Sequence, residues 1–202
     1  MDLLNKVGIM GGTFNPIHNG HISLAQSAYE SLSLDKILFM PSGKSYMKSS
    51  VLDAKHRVNM IKCAISSYSY FELSTVEVER AGNTYTSETL KLLKQQNPQT
   101  HYYFIMGADS LFHIETWKNP EVIFSLSTLV CAVRDEYNYE DLEQKRKELS
   151  QKGANIVLLD MPEINISSSD IRKRVNQKQS ISAFVPDAVV KYILQEHLYE
   201  GN

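Results

Sequence analysis

The chain has 202 residues, 43% hydrophobic and 22% charged, which suits one globular domain over residues 1–202 with a substantial core. A formal net charge of −2 gives no general basic field, so no nucleic-acid partner is expected and any anion site must be local. No apolar run approaches membrane-spanning length, and the N-terminus leads straight into a short apolar run without a leader pattern, so a cytoplasmic protein with no membrane partner is expected.

The first element is that short run, residues 7–10. It opens the stretch Val7-Gly8-Ile9-Met10-Gly11-Gly12-Thr13-Phe14-Asn15-Pro16-Ile17-His18-Asn19-Gly20-His21. The order is strand, tight turn and helix N-terminus. Glycines permit φ > 0 and close approach of a ligand to the backbone, while the free N–H groups of the following helix point above the strand. An anion, a phosphate above all, is the ligand this arrangement suits. With Asn19 as the first helical residue, His18 and His21 sit around the first turn, beside its partial positive charge, and both can donate to phosphate oxygens. A metal site would need more ligands than these two histidines, and no carboxylate or third histidine stands nearby. The glycine spacing fits neither the dinucleotide fingerprint nor the Walker loop, and Gly43-Lys44-Ser45 lacks the glycine that the latter requires at Leu38.

Further along, Ile22, Ala25, Tyr29 and Leu32 recur at helical spacing, and residues 36–40 read as a buried strand ending at Pro41. A polar loop over 42–53 precedes a helix with Ala54, Val58, Ile61 and Ile65 as its apolar stripe. Residues 71–73 and 76–78 read as extended. A helix over 86–96, with Leu90 and Leu93 on one face, ends at Asn97-Pro98. Residues 101–106 form a buried strand running into Gly107-Ala108-Asp109-Ser110. Strands over 129–133 and 155–159 flank a charged, solvated helix over 139–151, and Pro186 stands in the first turn of a final helix packed through Val189, Tyr192 and Ile193. Cys63 and Cys131 belong to no C-x-x-C pair and read as small core residues. Alternating strands and helices imply an α/β fold with a doubly wound parallel sheet, whose ligands lie beyond the carboxyl ends of the strands.

A second constellation, Ile166-Ser167-Ser168-Ser169-Asp170-Ile171-Arg172-Lys173-Arg174, follows the last strand and opens a helix. Ser167 and Asp170 make a capping box, which accounts for a serine cluster at a helix start without any ligand. The same geometry sets free N–H groups, hydroxyls and basic residues at the sheet's carboxyl edge, so two phosphate-suited helix starts could hold a polyphosphate between them.

Residues 11–21 resemble the nucleotidylyltransferase signature G-G-T-F-D-P-x-H-x-G-H, most of all that of bacterial nicotinate-nucleotide adenylyltransferases, with Asn15 in place of Asp. Residues 166–172 resemble the family's I-S-S-T-x-I-R, with Ser169 in place of Thr. Gly82-Asn83-Thr84-Tyr85-Thr86-Ser87-Glu88-Thr89-Leu90 is similar to its G-x-S-Y-T-x-x-T-L block, and Gly107-Ala108-Asp109-Ser110-Leu111 to its G-A-D-S-L block. The resemblance implies a Rossmann-like nucleotidylyltransferase fold and the transfer of AMP from ATP to nicotinate mononucleotide, giving deamido-NAD and pyrophosphate. It places His18, His21 and Arg172 in catalysis, and Gly11, Gly12, Thr13, Phe14, His18, His21, Gly107, Asp109, Ser168, Ser169 and Arg172 around ATP. Asp109 would accept from a ribose hydroxyl; the competing reading is a helix cap after the strand. Lys48, Thr86, Trp117 and Arg134 would hold the acceptor, with the indole of Trp117 facing its pyridine ring. Mg²⁺ is the implied cofactor, carried by ATP phosphates with no protein ligand set. The implied partners are ATP and nicotinate mononucleotide, with a homo-oligomer left open.

Two departures fall on the acceptor side. Ser45-Tyr46-Met47-Lys48 replaces the family's P-P-H-K, and Asp135 stands where Pro follows the arginine at Arg134. The rival readings are therefore the same chemistry on nicotinamide mononucleotide or another phosphate, and, from a different class, a non-catalytic nucleotide sensor. Length, Thr84-Tyr85-Thr86 and Trp117 speak against phosphopantetheine as acceptor. The two histidines with Arg172 speak against a pure sensor, because binding alone needs no donors aimed at a leaving group.

Overall fold

Six strands, β1 (Lys6–Gly12), β2 (Lys36–Pro41), β3 (Phe71–Leu73), β4 (His101–Gly107), β5 (Ser127–Val133) and β6 (Asn155–Asp160), pair in parallel in the order β3-β2-β1-β4-β5-β6. The computed structural model describes residues 5–43, 51–133, 138–160 and 166–201. Eight helices among them are α1 (Asn19–Leu32), α2 (Ala54–Ile65), α3 (Thr86–Gln96), α4 (Ala108–His113), α5 (Pro120–Leu126), α6 (Tyr139–Gln151), α7 (Ser168–Asn176) and α8 (Asp187–Gln195). The expected doubly wound α/β sheet is the one observed.

Alternate residues of each strand face opposite layers. Met10, Ile105 and Val130 pack with Ile22, Ile61, Ile171 and Val189 from α1, α2, α7 and α8. Ile9, Phe104 and Leu129 pack with Leu90, Leu111, Ile123 and Leu142 from α3 to α6. The winding direction reverses between β1 and β4, which are neighbours although far apart in sequence, and this opens a crevice beyond their carboxyl ends. Gly12 and Gly107 close those two strands.

Several expectations change. Gly11 and Gly12 continue β1 and neither has positive φ; the left-handed residue of the loop is Phe14, at φ 50°. The glycines instead make room for aromatic rings, since a Cβ on Gly11 would stand 3.1 Å from the Phe104 ring and one on Gly12 3.2 Å from the Phe14 ring. Residues 76–78 form a turn rather than a strand. The Glu77 carbonyl lies so close to Gly43, two residues past β2, that a Cβ there would come within 2.3 Å of it, and the Glu77 carboxylate accepts from Thr89 Oγ1 at 2.8 Å in α3. The buried stripe of α2 is Arg57, Met60, Ile61, Ala64 and Ile65, while Ala54 and Val58 are only half-buried. Cys131 is buried and Cys63 half-buried. A 3₁₀ turn (Ile114–Thr116) and α5 fill the connection from β4 to β5, with Pro120 at the start of the helix, where its missing N–H costs nothing. Pro186 stands one position before α8, as its N-cap. No described helix is long and apolar enough to cross a membrane.

Candidate active site

Helix α1 begins at Asn19 with His18 as its N-cap, so the two histidines do share its first turn. The backbone N–H of His18 donates to His21 Nδ1 at 3.2 Å, closing the turn as the acid of a capping box would. A ring nitrogen that accepts carries no proton, so this contact selects neutral His21 with its proton on Nε2. The His18 and His21 rings stack at 3.7 Å between centroids, and the Phe14 ring meets His21 edge-on at 5.0 Å. His18 and Phe14 are buried, so Phe14 can face a ligand only through its backbone.

Helix α7 comes up against the same loop. Ser167 caps it, its Oγ accepting from Asp170 N–H at 3.1 Å and donating to the Asp170 carboxylate at 2.7 Å. Ser168 Oγ donates to Pro16 O at 2.9 Å, and Arg172 Nη1 donates to Asn15 O at 2.8 Å. The Ser168 hydroxyl is thus a clasp on the signature loop; toward an anion, α7 offers the amides of its first turn and the rest of the Arg172 fork.

Two more residues grip the loop, and both were missed from sequence. Arg57, 3% exposed, donates through Nη1 to Thr13 O at 2.9 Å and through Nε to Leu52 O at 3.1 Å. Burial lowers its pKa, opposed by the nearby Asp53 and Tyr199. The available signal was its place on the stripe, four residues before Ile61. Tyr199 Oη donates to Asn15 Oδ1 at 3.0 Å, and burial raises the phenol's pKa, so it stays protonated there. No local pattern announces a contact across 184 residues. A cavity of about 480 Å³ beside the loop is lined by Asn15, Leu52, Ser169, Arg172, Lys173 and Tyr199.

At β4 the N-cap of α4 is Gly107, which makes no side-chain cap, and Asp109 is exposed in the first turn. The cap reading of Asp109 falls with this. A Cβ on Gly107, whose φ is −82°, would meet nothing within 4 Å, so the missing side chain leaves open space at the switch point. Thr86 begins α3, half-buried, and Trp117, also half-buried, follows the 3₁₀ turn with its indole edge-on to Phe104 at 6.0 Å. Since Phe104 covers Gly11, Trp117 is joined to the β1 end through one ring. Lys48 and Arg134 lie outside the described residues. Among the described residues no three His, Cys, Asp or Glu side chains converge as a metal site.

Residues 9–174 match the family model described as cytidylyltransferase-like. A probable nicotinate-nucleotide adenylyltransferase of Lachnoclostridium phytofermentans is 44% identical over 199 residues, covering 97% of this chain and all of the relative. The chain belongs to the nicotinate-nucleotide adenylyltransferase family. Another member, from Clostridium beijerinckii, is 40% identical over 203 residues, covering 97% of this chain and all of that one. The fold is that of the nicotinic acid mononucleotide adenylyltransferase of Plasmodium falciparum solved with NaAD, at TM-score 0.83 and 22% identity with 98% of both chains covered. In this nicotinate-nucleotide adenylyltransferase family member, Asn15 in place of the signature aspartate brings no negative charge beside Arg57 and Arg172. Its amide oxygen is engaged by the Tyr199 hydroxyl instead.

Proposed function

We propose that the chain transfers AMP from ATP to nicotinate mononucleotide, releasing deamido-NAD and pyrophosphate, with ATP held across the β1–β4 crevice. The observation that carries this reading is the docking of α7 on the loop that opens α1, through Ser168 on Pro16 and Arg172 on Asn15. It brings two helix starts and a guanidinium together, an arrangement fit for a triphosphate. Family membership supplies the chemistry.

An oxygen of the mononucleotide phosphate attacks the α-phosphorus in line, and the bond from that phosphorus to the β-bridging oxygen breaks, its electron pair leaving with pyrophosphate. The nucleophile is already an anion at neutral pH, so no general base is needed. The work left to the protein is positioning and electrostatic stabilisation. His21, with its proton on Nε2, donates to oxygens at the reacting phosphorus; His18 supports it from the stacked position. Arg172 neutralises charge on the departing pyrophosphate. Gly107 gives the nucleotide room, and Asp109 accepts from its ribose. Trp117 faces the acceptor ring, beside the start of α3 at Thr86.

Mg²⁺ fits this site as a cation carried mainly by phosphate oxygens and water, and it would supply further neutralisation of the polyphosphate. Lys48 and Arg134 are proposed, on the family pattern alone, to complete the acceptor site.

The test compares initial rates of pyrophosphate release from Mg²⁺–ATP with nicotinate mononucleotide, nicotinamide mononucleotide or no acceptor. A rate that depends on acceptor and favours the acid form is expected. Preference for the amide would replace the acceptor, and absence of release with either would return the chain to the sensor reading.

A further inference from the structure

We infer that Glu88 is a positioning residue for the acceptor pocket, holding the Trp117 segment against the start of α3 through Lys118. This rests on the reading of Trp117 as the surface that meets the acceptor ring.

Within its own segment Trp117 is tied by one backbone bond, from its N–H to Ile114 O at 3.1 Å. Two residues later the chain turns through Asn119 at φ 51°, a left-handed conformation that a non-glycine residue adopts at some cost. Lys118 sits between them. Its Nζ donates to Glu88 Oε1 at 2.8 Å and lies 4.0 Å from the centre of the Tyr85 ring, so it grips α3 at its N-cap and within its first turn.

Alone, a half-exposed ion pair would hold little. This one is the outer end of a longer chain of contacts. Glu88 Oε2 accepts from Arg80 Nη2 at 2.8 Å, Arg80 Nη1 donates to Thr89 Oγ1 at 3.2 Å, and Thr89 Oγ1 donates to Glu77 Oε1 at 2.8 Å. Thr89 and Glu77 are buried, so Lys118 is anchored to groups that cannot reorganise freely in water. The Lys118 hydrogen bond, with Arg80 assisting and some burial opposing, holds the Glu88 carboxyl below the usual carboxylate range. Lys118 is in turn spent on Glu88 and Tyr85, which makes it a strut for its neighbour Trp117 rather than a ligand for a phosphate.

The test uses Glu88→Ala, Lys118→Ala, Lys118→Arg and Trp117→Ala in the full chain, with steady-state kinetics for both substrates. Trp117 is the only tryptophan, so intrinsic emission reports its surroundings directly. Glu88→Ala and Lys118→Ala should each raise the KM for the mononucleotide about 5-fold, the upper range of a surface pair, and leave the KM for ATP within about 2-fold. Both should shift Trp117 emission before any substrate is added, and Lys118→Arg should retain the wild-type values. Unchanged mononucleotide KM and emission in both alanine variants, while Trp117→Ala raises that KM, would overturn the role of Glu88 and leave the acceptor reading standing. A parallel loss in both KM values and kcat would reduce Glu88 to general structure. If Trp117→Ala leaves the mononucleotide KM unmoved, the acceptor reading itself fails.

Discussion

Replacing His21 by alanine lowers kcat by about 100-fold or more, the ~3 kcal/mol typical of losing one donor aimed at transition-state charge. The ring is placed for that role by three local contacts. The His18 N–H on Nδ1 selects the proton on Nε2, the His18 ring stacks on one side, and the Phe14 ring closes the edge. Because the same ring also closes the first turn of α1, the alanine variant should lose about 1 kcal/mol of stability as well. His21→Asn separates the two effects. Its amide oxygen can still accept the His18 N–H and restore the turn, but its donor is too short to reach where Nε2 reached. Thermal unfolding should return toward wild type in the asparagine variant while single-turnover rates stay low. Near-normal turnover in either variant would remove His21 from the chemistry.

Arg57→Met should cost about 3 kcal/mol of stability, because a neutral stem of similar reach leaves the Thr13 and Leu52 carbonyls without their charged donor. Urea unfolding should show a lower midpoint with an unchanged slope. Thr13 belongs to the signature loop, so the KM for ATP should rise too, with less effect on the acceptor. Arg57→Lys should recover only part of this, since an ammonium has no planar fork to span two carbonyls on different segments. An unchanged midpoint in Arg57→Met would show that the loop keeps its place without the guanidinium.

What was legible in the chain is what short-range chemistry decides. Helix α3 runs from Thr86 to Gln96 as expected, because Asn97-Pro98 stops it. Helix α6 starts at Tyr139 as expected, with the Asn138 side chain accepting from Glu140 N–H. The parallel, doubly wound sheet followed from alternating βα units, and the Ser167–Asp170 cap from two residues three apart. The larger misreadings share a different cause, a partner distant in sequence. Gly11 reads as a turn residue until the Phe104 ring is set over it. Residues 76–78 alternate like a strand, yet Glu77 is drawn into a turn by Thr89 and Gly43. Tyr199 looks like an ordinary surface residue until the loop it holds is folded beneath it, and Arg57, although on the buried stripe of α2, carries no local sign that its guanidinium reaches the Thr13 carbonyl. The serine cluster was legible as a helix start, but the use of the Ser168 hydroxyl on Pro16 was not.

We propose that AMP passes directly between two bound anions, without an adenylylated enzyme. Exchange of labelled pyrophosphate into ATP tests it most directly. Exchange is expected only when nicotinate mononucleotide is present, since AMP must pass to the acceptor before pyrophosphate can return. Exchange at a comparable rate with ATP alone would show a covalent intermediate and contradict it.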